Sequence, residues 1–401
     1  MKKFLLLFAM LLASAWSLLS QTCLPEGIEF THQTQIDSFS INYPGCNTII
    51  GNLTIKGDDI VNLDGLGQLR YVMGLLRVTE NKIIENLDGL SEIKYPGQVF
   101  FISKNPELKQ LLTLTSPELE IGGLSISDNP KLHSLLGLES IVGLHNLDIV
   151  NNDMLYSLQG LNSIEIVKSQ VRIQKNQGLI DLTGLDNLSE LESDLLISLN
   201  DNLSSFYGLQ KLATINGSLH IVGNQKLHSF SGLDSLKTIN KILVIDDNET
   251  LTDISALEQL NPEKMDSIQI TDNKLLKTCH IKSVCNYIGL SHNGIYLHDN
   301  AEGCMDKAQI ESGCQGSGIE NHIDDHAFKV FPNPASNYVT LELKDNLEIS
   351  SIEVYDISGN MVHFQTEDTN SLNVSALSTG MYVVKVSAKS IISRQKLFIK
   401  H

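Results

Sequence analysis

Aliphatic side chains recur along this chain with a period of about 24 residues. The ten positions that define the period, which we call ladder positions, are Ile55, Val78, Ile102, Ile126, Ile149, Ile173, Ile197, Ile221, Ile245 and Ile270. A fixed period of this length is typical of a solenoid, in which each repeat forms one coil and stacked coils share a core. The pattern therefore predicts about ten 24-residue coils. It also favours a protein that presents a surface over one that encloses a reaction.

Each coil follows the pattern L-x-I-x-x-N-x-x-L-x-x-L-x-G-L-x-x-L-x-x-I. The L-x-I segment alternates inward and outward, so it predicts a short strand that pairs with the same strand of the next coil in a parallel sheet. An asparagine recurs three residues after the ladder position, from Asn81 to Asn273. We expect its amide to bond to backbone groups that the turn leaves unpaired. A Gly-Leu pair such as Gly208-Leu209 marks a second corner, where glycine supplies a conformation that a Cβ would forbid.

The first twenty residues are predicted to be a signal peptide. Lys2 and Lys3 precede the apolar run 4–12, and small residues follow up to Ser20. The uncharged stretch is shorter than the ~20 residues of a spanning helix, so a retained membrane anchor is only the alternative. Cys23 raises a lipoprotein as a second alternative, but the residues before it do not resemble a lipobox. We therefore predict cleavage near Ser20 and no membrane-spanning segment in the mature chain.

The chain is acidic, and loss of the predicted signal peptide changes its formal net charge from −18 to −20. This charge disfavours nucleic acid and anionic membrane surfaces as partners. Hydrophobic residues make up 42% of the chain, which is enough to form real cores. The acidity is typical of solubility outside the cell.

Six cysteines flank the repeats: Cys23 and Cys46 come before them, and Cys279, Cys285, Cys304 and Cys314 come after. In an exported protein an even number of cysteines predicts disulfides. Proximity pairs the first two, whereas the other four allow three pairings that the sequence leaves open. Disulfides at these places would hold end coils that lack one neighbour.

The repeat length, the asparagine, the Gly-Leu corner and the flanking cysteines together resemble the receptor L-domain family over roughly Cys46 to Cys314. The resemblance implies a mainly β, right-handed solenoid related to leucine-rich repeats, with disulfide-bearing caps. We accordingly expect an N-terminal cap over 21–50 and a solenoid with its C-terminal cap over 51–314. The coil from Gln98 to Gly123 departs from the pattern, because it lacks the Gly-Leu corner and contains Pro117. A local bulge is predicted there.

A different pattern begins after Cys314. Residues 315–327 are small and polar, which predicts a linker. Residues 328–401 hold short alternating segments separated by tight turns, which predicts a small β-sandwich.

The tail resembles the C-terminal sorting domain of type IX secretion substrates. The matching residues include Pro332, Asn333, Pro334, Gly359, Gly380, Tyr382, Lys396 and Lys400. Asn360 departs from the family, which usually has lysine at that position. The resemblance implies export by the type IX machinery of a Bacteroidota-type bacterium, removal of the tail by its sortase, and release or attachment at the outer cell surface. A generic β-sandwich adhesion module is the alternative.

Motifs that carry chemistry were not found in the sequence. The histidines lack a close metal spacing, and no nucleotide or nucleophile motif occurs. Asp246-Asp247-Asn248 suggests calcium, but Asn248 belongs to the repeated asparagines and neighbouring coils lack the double acid. We therefore expect no cofactor, no metal and no enzymatic activity.

The outward residues of the predicted strands form the candidate ligand face. Its selected members are Arg77, Phe101, Arg172, Leu196 and His220, because apolar and arginine side chains are common anchors of interfaces. His220 is expected to be solvated. An ordinary solvent-facing sheet is the alternative for any single residue.

The sequence predicts a secreted or surface-attached binding or adhesion protein with an unidentified protein or glycan ligand. One alternative is a polysaccharide-acting enzyme on a β-helix, although the outward row offers no paired carboxylates. A structural envelope protein is the other.

Overall fold

The computed structural model describes residues 22–290, 294–316, 322–323, 328–343, 351–356, 361–365, 371–388 and 391–401. The chain divides into two compact units between Glu311 and Ser312. The predicted signal peptide lies outside the described residues. The domain boundaries predicted at 50, 314 and 327 stay predictions.

One parallel strand from each coil builds the main sheet of the first unit. Its strands, numbered in chain order with all the others, are β2 (Ile28–Phe30), β4 (Leu53–Ile55), β6 (Leu75–Thr79), β8 (Val99–Ser103), β9 (Leu119–Ser127), β10 (Ile141–Val150), β12 (Val171–Gln174), β14 (Leu195–Ser198), β16 (Leu219–Val222), β18 (Ile242–Asp246), β19 (Ser267–Thr271) and β20 (Gly294–His298). Ladder residues pair in register, from Ile55 with Val78 to Ile245 with Ile270, and all ten are fully buried. The predicted parallel solenoid is confirmed. It is one rung longer at each end than the ten ladder positions, because β2 and β20 continue the sheet.

A second row of two-residue strands lies at another corner of the coils. The strands β1 (Thr22–Cys23), β3 (Thr48–Ile49), β5 (Tyr71–Val72) and β7 (Tyr95–Pro96) form a separate parallel sheet. The strands β11 (Ile166–Val167), β13 (Glu190–Leu191), β15 (Thr214–Ile215) and β17 (Thr238–Ile239) extend instead from β10. The row is interrupted between β7 and β9, at the coil that departs from the sequence repeat.

The irregularity of that coil differs in place from the prediction. Strands β9 and β10 have 9 and 10 residues, so each runs through a corner that separates two strands in other coils. Their pairing shifts register between Ile141 and Gly143, which makes Val142 the extra residue of a bulge. The bulge thus lies on β10, at the place where this strand pairs with β9. It is one coil beyond the predicted stretch from Gln98 to Gly123.

The asparagines form a buried column along the stack. Asn200 is typical: its Nδ2 donates to the Ile173 carbonyl oxygen at 3.0 Å, and its Oδ1 accepts from the Asn176 backbone N–H at 3.0 Å. The predicted bonding to the backbone is confirmed. Asn300 in the C-terminal cap adds a tenth member, with its Oδ1 accepting from the Asn273 backbone N–H at 3.0 Å.

The glycine corner is confirmed by its backbone. Five of the seven Gly-Leu glycines have φ between +103° and +119°. The other two, Gly65 and Gly89, lie in short 3-10 helices, where a Cβ would come within 2.1 Å of neighbouring backbone atoms.

Among the described residues, the α-helices lie in the caps: α1 (Gln33–Asp37), α2 (Phe39–Asn42), α3 (Lys282–Ile288) and α4 (Lys307–Gly316). The 3-10 helices lie in the coils, at Asp64–Leu66, Asp88–Leu90, Ser255–Leu257 and Pro262–Lys264. Among the described residues, none of these helices has the length and apolar content needed to cross a membrane.

Disulfides lie in both caps. The predicted Cys23–Cys46 bond is present. Cys279 bonds Cys304, which selects one of the three pairings that the sequence leaves open. Cys285 and Cys314 are also disulfide-bonded.

The second unit is a small β-sandwich, as predicted. One sheet has the order β21 (His322–Ile323), β28 (Ile391–Ile399), β27 (Gly380–Ala388), β24 (Ser351–Tyr355) and β25 (Met361–Gln365). The other has the order β22 (Phe328–Phe331), β23 (Tyr338–Leu343) and β26 (Ser371–Asn373). Both sheets contribute to one buried core, with Val339 from the smaller sheet and Val384 from the larger.

Candidate ligand-binding face and sorting residues

The outward side chains at the centre of the main sheet form one row, with one residue per strand. In order along the stack they are Glu29, Thr54, Arg77, Phe101, Ser125, Asp148, Arg172, Leu196, His220, Val244, Gln269 and Tyr296. Each member is the registered partner of the next, so neighbours lie about 4.8 Å apart along the stack. The structure therefore places all five predicted face residues in this row.

Arg77 and Phe101 form a cation–π pair at the N-terminal part of the row. The guanidinium carbon of Arg77 lies 5.2 Å from the centre of the Phe101 ring. Arg77 is exposed and Phe101 is partly buried. Such a pair contributes roughly 0.5–1 kcal/mol at an exposed site. It holds a cation and an aromatic surface together where an incoming partner can contact both.

Arg172, Leu196 and His220 are the second group of predicted residues, and they occupy three consecutive strands. Asp148 precedes them and accepts a hydrogen bond from Arg172 Nε at 2.9 Å. This ion pair offsets the positive charge of Arg172, so Arg77 is the cation of the row that is more available to a ligand. Ser125 and Asp148 separate the two groups.

His220 is partly buried, and its environment differs from the solvated position that the sequence suggests. Burial lowers the pKa of its imidazole from 6.5, while the nearby carboxylate of Asp194 raises the pKa by a smaller amount. The neutral imidazole is therefore the favoured form at neutral pH, and His220 can both donate and accept a hydrogen bond.

Tyr296 belongs to the row but was not among the predicted residues. Its side chain is 60% exposed at the C-terminal end of the sheet. A sequence signal was present, because Ile295-Tyr296-Leu297 repeats the strand pattern and Asn300 follows at the usual spacing. Cys279 and Cys304 flank the same stretch, and cysteines at this place are typical of a cap.

A carboxylate-rich group lies beside the C-terminal end of the same sheet. Ligand atoms of Asp272, His298 and Asp299 lie within 4.8 Å of one another. The Lys274 ammonium already donates to Asp272 Oδ1 at 2.8 Å, and this bond lowers the pKa of Asp272. The Lys274 ammonium thus occupies the place at Asp272 that a metal ion would take. Nearby Asn248 is a buried member of the asparagine column, as predicted.

In the second unit, Asn333 fastens the first sorting motif to the last strand. Its Nδ2 donates to the Lys396 carbonyl oxygen at 2.7 Å, and its Oδ1 accepts from the Phe398 backbone N–H at 2.8 Å. Ala335 continues the contact, because its N–H donates to the Phe398 carbonyl and its carbonyl accepts from Lys400, both at 2.8 Å. Pro332 and Pro334 flank Asn333. The side-chain amide of Asn333 therefore bonds to the last strand as a neighbouring strand would. It joins the beginning of the tail sequence to its end.

The other predicted sorting residues have separate roles. Tyr382 is 8% exposed, and its hydroxyl donates to the Ser378 carbonyl at 2.9 Å. Gly380 begins β27, and the side chains of Lys396 and Lys400 are exposed. Gly359 lies outside the described residues. Tyr382 and Gly380 thus contribute to the structure of the second unit, whereas the side chains of the two lysines are accessible to a partner.

Comparison with known families supports both parts of this description. Residues 45–137 match the family model described as Receptor L domain. Residues 329–400 match the family model described as Secretion system C-terminal sorting domain. No curated protein sequence matches the chain.

The second match fixes the destination of the protein. A sorting domain of this kind indicates type IX secretion, which is typical of Bacteroidota. The protein is secreted or anchored at the outer cell surface. The secretion machinery handles its tail.

Proposed function

We propose that this type IX secreted protein is a non-catalytic binding or adhesion protein that contacts a protein or glycan partner through the face around Arg77 and Phe101. The observation that carries the proposal is the cation–π pair between exposed Arg77 and partly buried Phe101, 5.2 Å from guanidinium carbon to ring centre, in a continuous row of outward side chains. Arginine and aromatic residues are over-represented among residues that dominate binding energy. The receptor L-domain match over residues 45–137, which include both side chains, supports a binding role.

Within the outward row, the spacing of the carboxylates argues against a glycosidase pair. Its two carboxylates, Glu29 and Asp148, are five strands apart, which corresponds to about 24 Å. Glycosidases need two carboxyl groups roughly 5–9.5 Å apart. Asp148 is also engaged by Arg172.

The binding proposal is tested with the mature protein immobilised and presented to arrays of glycans and of extracellular proteins. Arg77→Ala and Phe101→Ala together should weaken the strongest interaction at least about tenfold, since hot-spot truncations cost ~2 kcal/mol or more. Tyr156→Ala is the matched control, because Tyr156 is 50% exposed and lies outside the main sheet. Equal affinity of the double variant and the control would refute this face as the binding site.

Enzymatic activity is tested in parallel on polysaccharides with and without calcium. We expect no release of reducing ends above the background of buffer alone. Sustained release that survives repurification would replace the binding proposal with the enzyme alternative.

The fate of the tail is the finer part of the proposal. We infer that the tail is removed after export, so the mature form begins near Gln21 and ends before Phe328. Mass spectrometry of protein recovered from surface and medium fractions of the native host measures both ends. A mature form that still carries residues 328–401 would show that the tail is retained and would make it a candidate working domain.

A further inference from the structure

A pocket of about 840 Å3 lies at the N-terminal end of the solenoid, on the turns that follow the first strands of the main sheet. Its walls come from four turns: Thr31 and His32 after β2, residues 56–59 after β4, Glu80 and Lys82 after β6, and Lys104 and Pro106 after β8. None of these residues belongs to the outward row. A concavity of this volume is within the range of small-molecule sites.

The local sequence explains why the turn after β4 differs from the corresponding turns of the later coils. Ile55 and the next buried residue, Ile60, are one position closer than the equivalent Val78 and Ile84. Gly57 stands where the asparagine column would otherwise continue, and its N–H donates to Asn81 Oδ1 at 3.0 Å. A Cβ on Gly57 would come within 2.2 Å of the Thr31 carbonyl oxygen, so this part of the wall has no side chain.

Three ammonium groups and three carboxylates line the pocket, and each carboxylate pairs with a lysine or with His32. Lys56 lies 2.9 Å from Glu80, and Lys104 lies 3.9 Å from the same carboxylate. Lys82 pairs with Asp58 at 2.5 Å, and His32 Nδ1 lies 3.5 Å from Asp59. The formal charge of the lining is zero with the imidazole neutral.

The Lys56–Glu80 pair of the pocket lining is ionised at neutral pH. The hydrogen bond from Lys56 lowers the pKa of Glu80 and raises the pKa of Lys56. Each of these side chains remains about half exposed, so neither is closed off from a ligand. Carboxylate oxygens only accept hydrogen bonds and ammonium groups only donate them. Both kinds of group therefore face the same space.

From this arrangement we infer that the pocket is a binding site for a neutral saccharide. Each sugar hydroxyl both donates and accepts, so one ring can bond to Glu80 and Asp58 and also to Lys82. The methylene stems of the lysines and the ring of Pro106 offer apolar contact to the C–H face of a sugar.

Other ligand classes fit this lining less well. A phosphate or sulfate would face three carboxylates, and a metal cation would face three ammonium groups. No lining residue of the pocket belongs to the outward row, so this inference does not depend on the proposed function.

The test uses the purified full chain and saturation-transfer NMR with methyl glycosides of glucose, galactose and mannose, N-acetylglucosamine, inorganic phosphate and glycylglycine as probes. At least one neutral sugar should bind saturably. Glu80→Gln and Lys82→Met should each weaken that binding by about tenfold or more, since hydrogen bonds to charged groups contribute ~1.5–3 kcal/mol.

Glu85→Gln is the matched control, because Glu85 also pairs with a lysine of the next coil, Lys109, at 2.7 Å, but lies outside the pocket. It should bind the sugar as the unmodified protein does, and so should Phe101→Ala. The inference is overturned if no neutral sugar binds saturably, if phosphate or glycylglycine binds in place of sugars, or if folded Glu80→Gln and Lys82→Met variants keep full affinity.

Discussion

At the scale of single residues, the asparagine column solves a problem that every turn of the stack creates. The residue before each asparagine has a left-handed backbone in ten coils, with φ between +53° and +66°. The chain bends sharply there, and the bend leaves N–H and carbonyl groups without strand partners. Each buried amide supplies both a donor and an acceptor to these groups. Replacement of one asparagine therefore affects three neighbouring coils.

Asn200→Ala should lower the free energy of unfolding by about 2–5 kcal/mol, because the Ile173 carbonyl and the Asn176 N–H both lose a buried partner. Urea denaturation followed by circular dichroism measures the change. Asn146→Ala, at an exposed position on β10, should stay within about 0.5 kcal/mol of the unmodified protein. Similar losses at the two positions would contradict a special role for the column.

His220 gives the sheet face a pH dependence. Its folded pKa is lowered from 6.5 by burial, so the unfolded chain binds the proton first as the pH falls. The contribution of His220 to stability is therefore complete above about pH 6.5 and is lost as the pH falls from there through the folded pKa.

His220→Gln should reduce the decrease in melting temperature between about pH 7 and pH 5. The same substitution at exposed His228 serves as the control. NMR titration of the His220 ring should give a midpoint below 6.5. A midpoint at or above that value would contradict the effect of burial.

At the scale of elements, the coil is the unit that the sequence predicts well. Ile197 and Ile221 pair as expected because their spacing equals one full coil. The period of the sequence therefore sets the register between neighbouring strands. The strand with Tyr296 and the bulge at Val142 were less predictable, since the first lies in a cap and the second depends on how two coils meet. The Lys56–Glu80 pair and its pocket could not be predicted, because contacts between turns of different lengths need the folded backbone.

The glycine corner limits how coils can vary. Gly208 has φ +105°, and a Cβ there would lie 1.9 Å from the Leu182 carbonyl oxygen. Gly208→Ala should lower the free energy of unfolding by more than about 2 kcal/mol, because both the backbone conformation and the contact between coils are disturbed.

Gly67→Ala is the matched control for this measurement. Gly67 has φ −59°, and the atom nearest to a Cβ at this position would lie 3.4 Å away. This variant should change the unfolding free energy by no more than about 1 kcal/mol in thermal or urea denaturation. A tolerated Gly208→Ala would mean that the coils can move apart at this corner.

At the scale of the whole molecule, the solenoid unit depends on its ends. Central coils have two neighbours, whereas the coils in the caps have one, so they are the first to open. The Cys279–Cys304 bond closes a stretch of 25 residues at the C-terminal end. A crosslink over such a stretch contributes about 3 kcal/mol in the chain-entropy description.

Replacement of Cys279 and Cys304 by serine should therefore speed amide hydrogen exchange in β19 and β20 while β12 and β14 stay protected. Exchange read out by mass spectrometry of peptides separates these regions. The Cys23→Ser and Cys46→Ser pair should have its effect at the opposite end. A uniform increase along all coils would argue that the solenoid opens as one cooperative unit.

The direction of the bonds between coils also has a mechanical consequence. They run along the stack, across the direction of each strand, so tension along the stack loads one pair of coils after another and does not shear the sheet as a block. Each coil that peels away releases roughly 80 Å of extended chain while the remaining register persists. The disulfides in the caps stabilise the two ends of the stack, where coils separate first. A protein of this kind that is stretched at a cell surface extends in small steps, and each step dissipates part of the applied force.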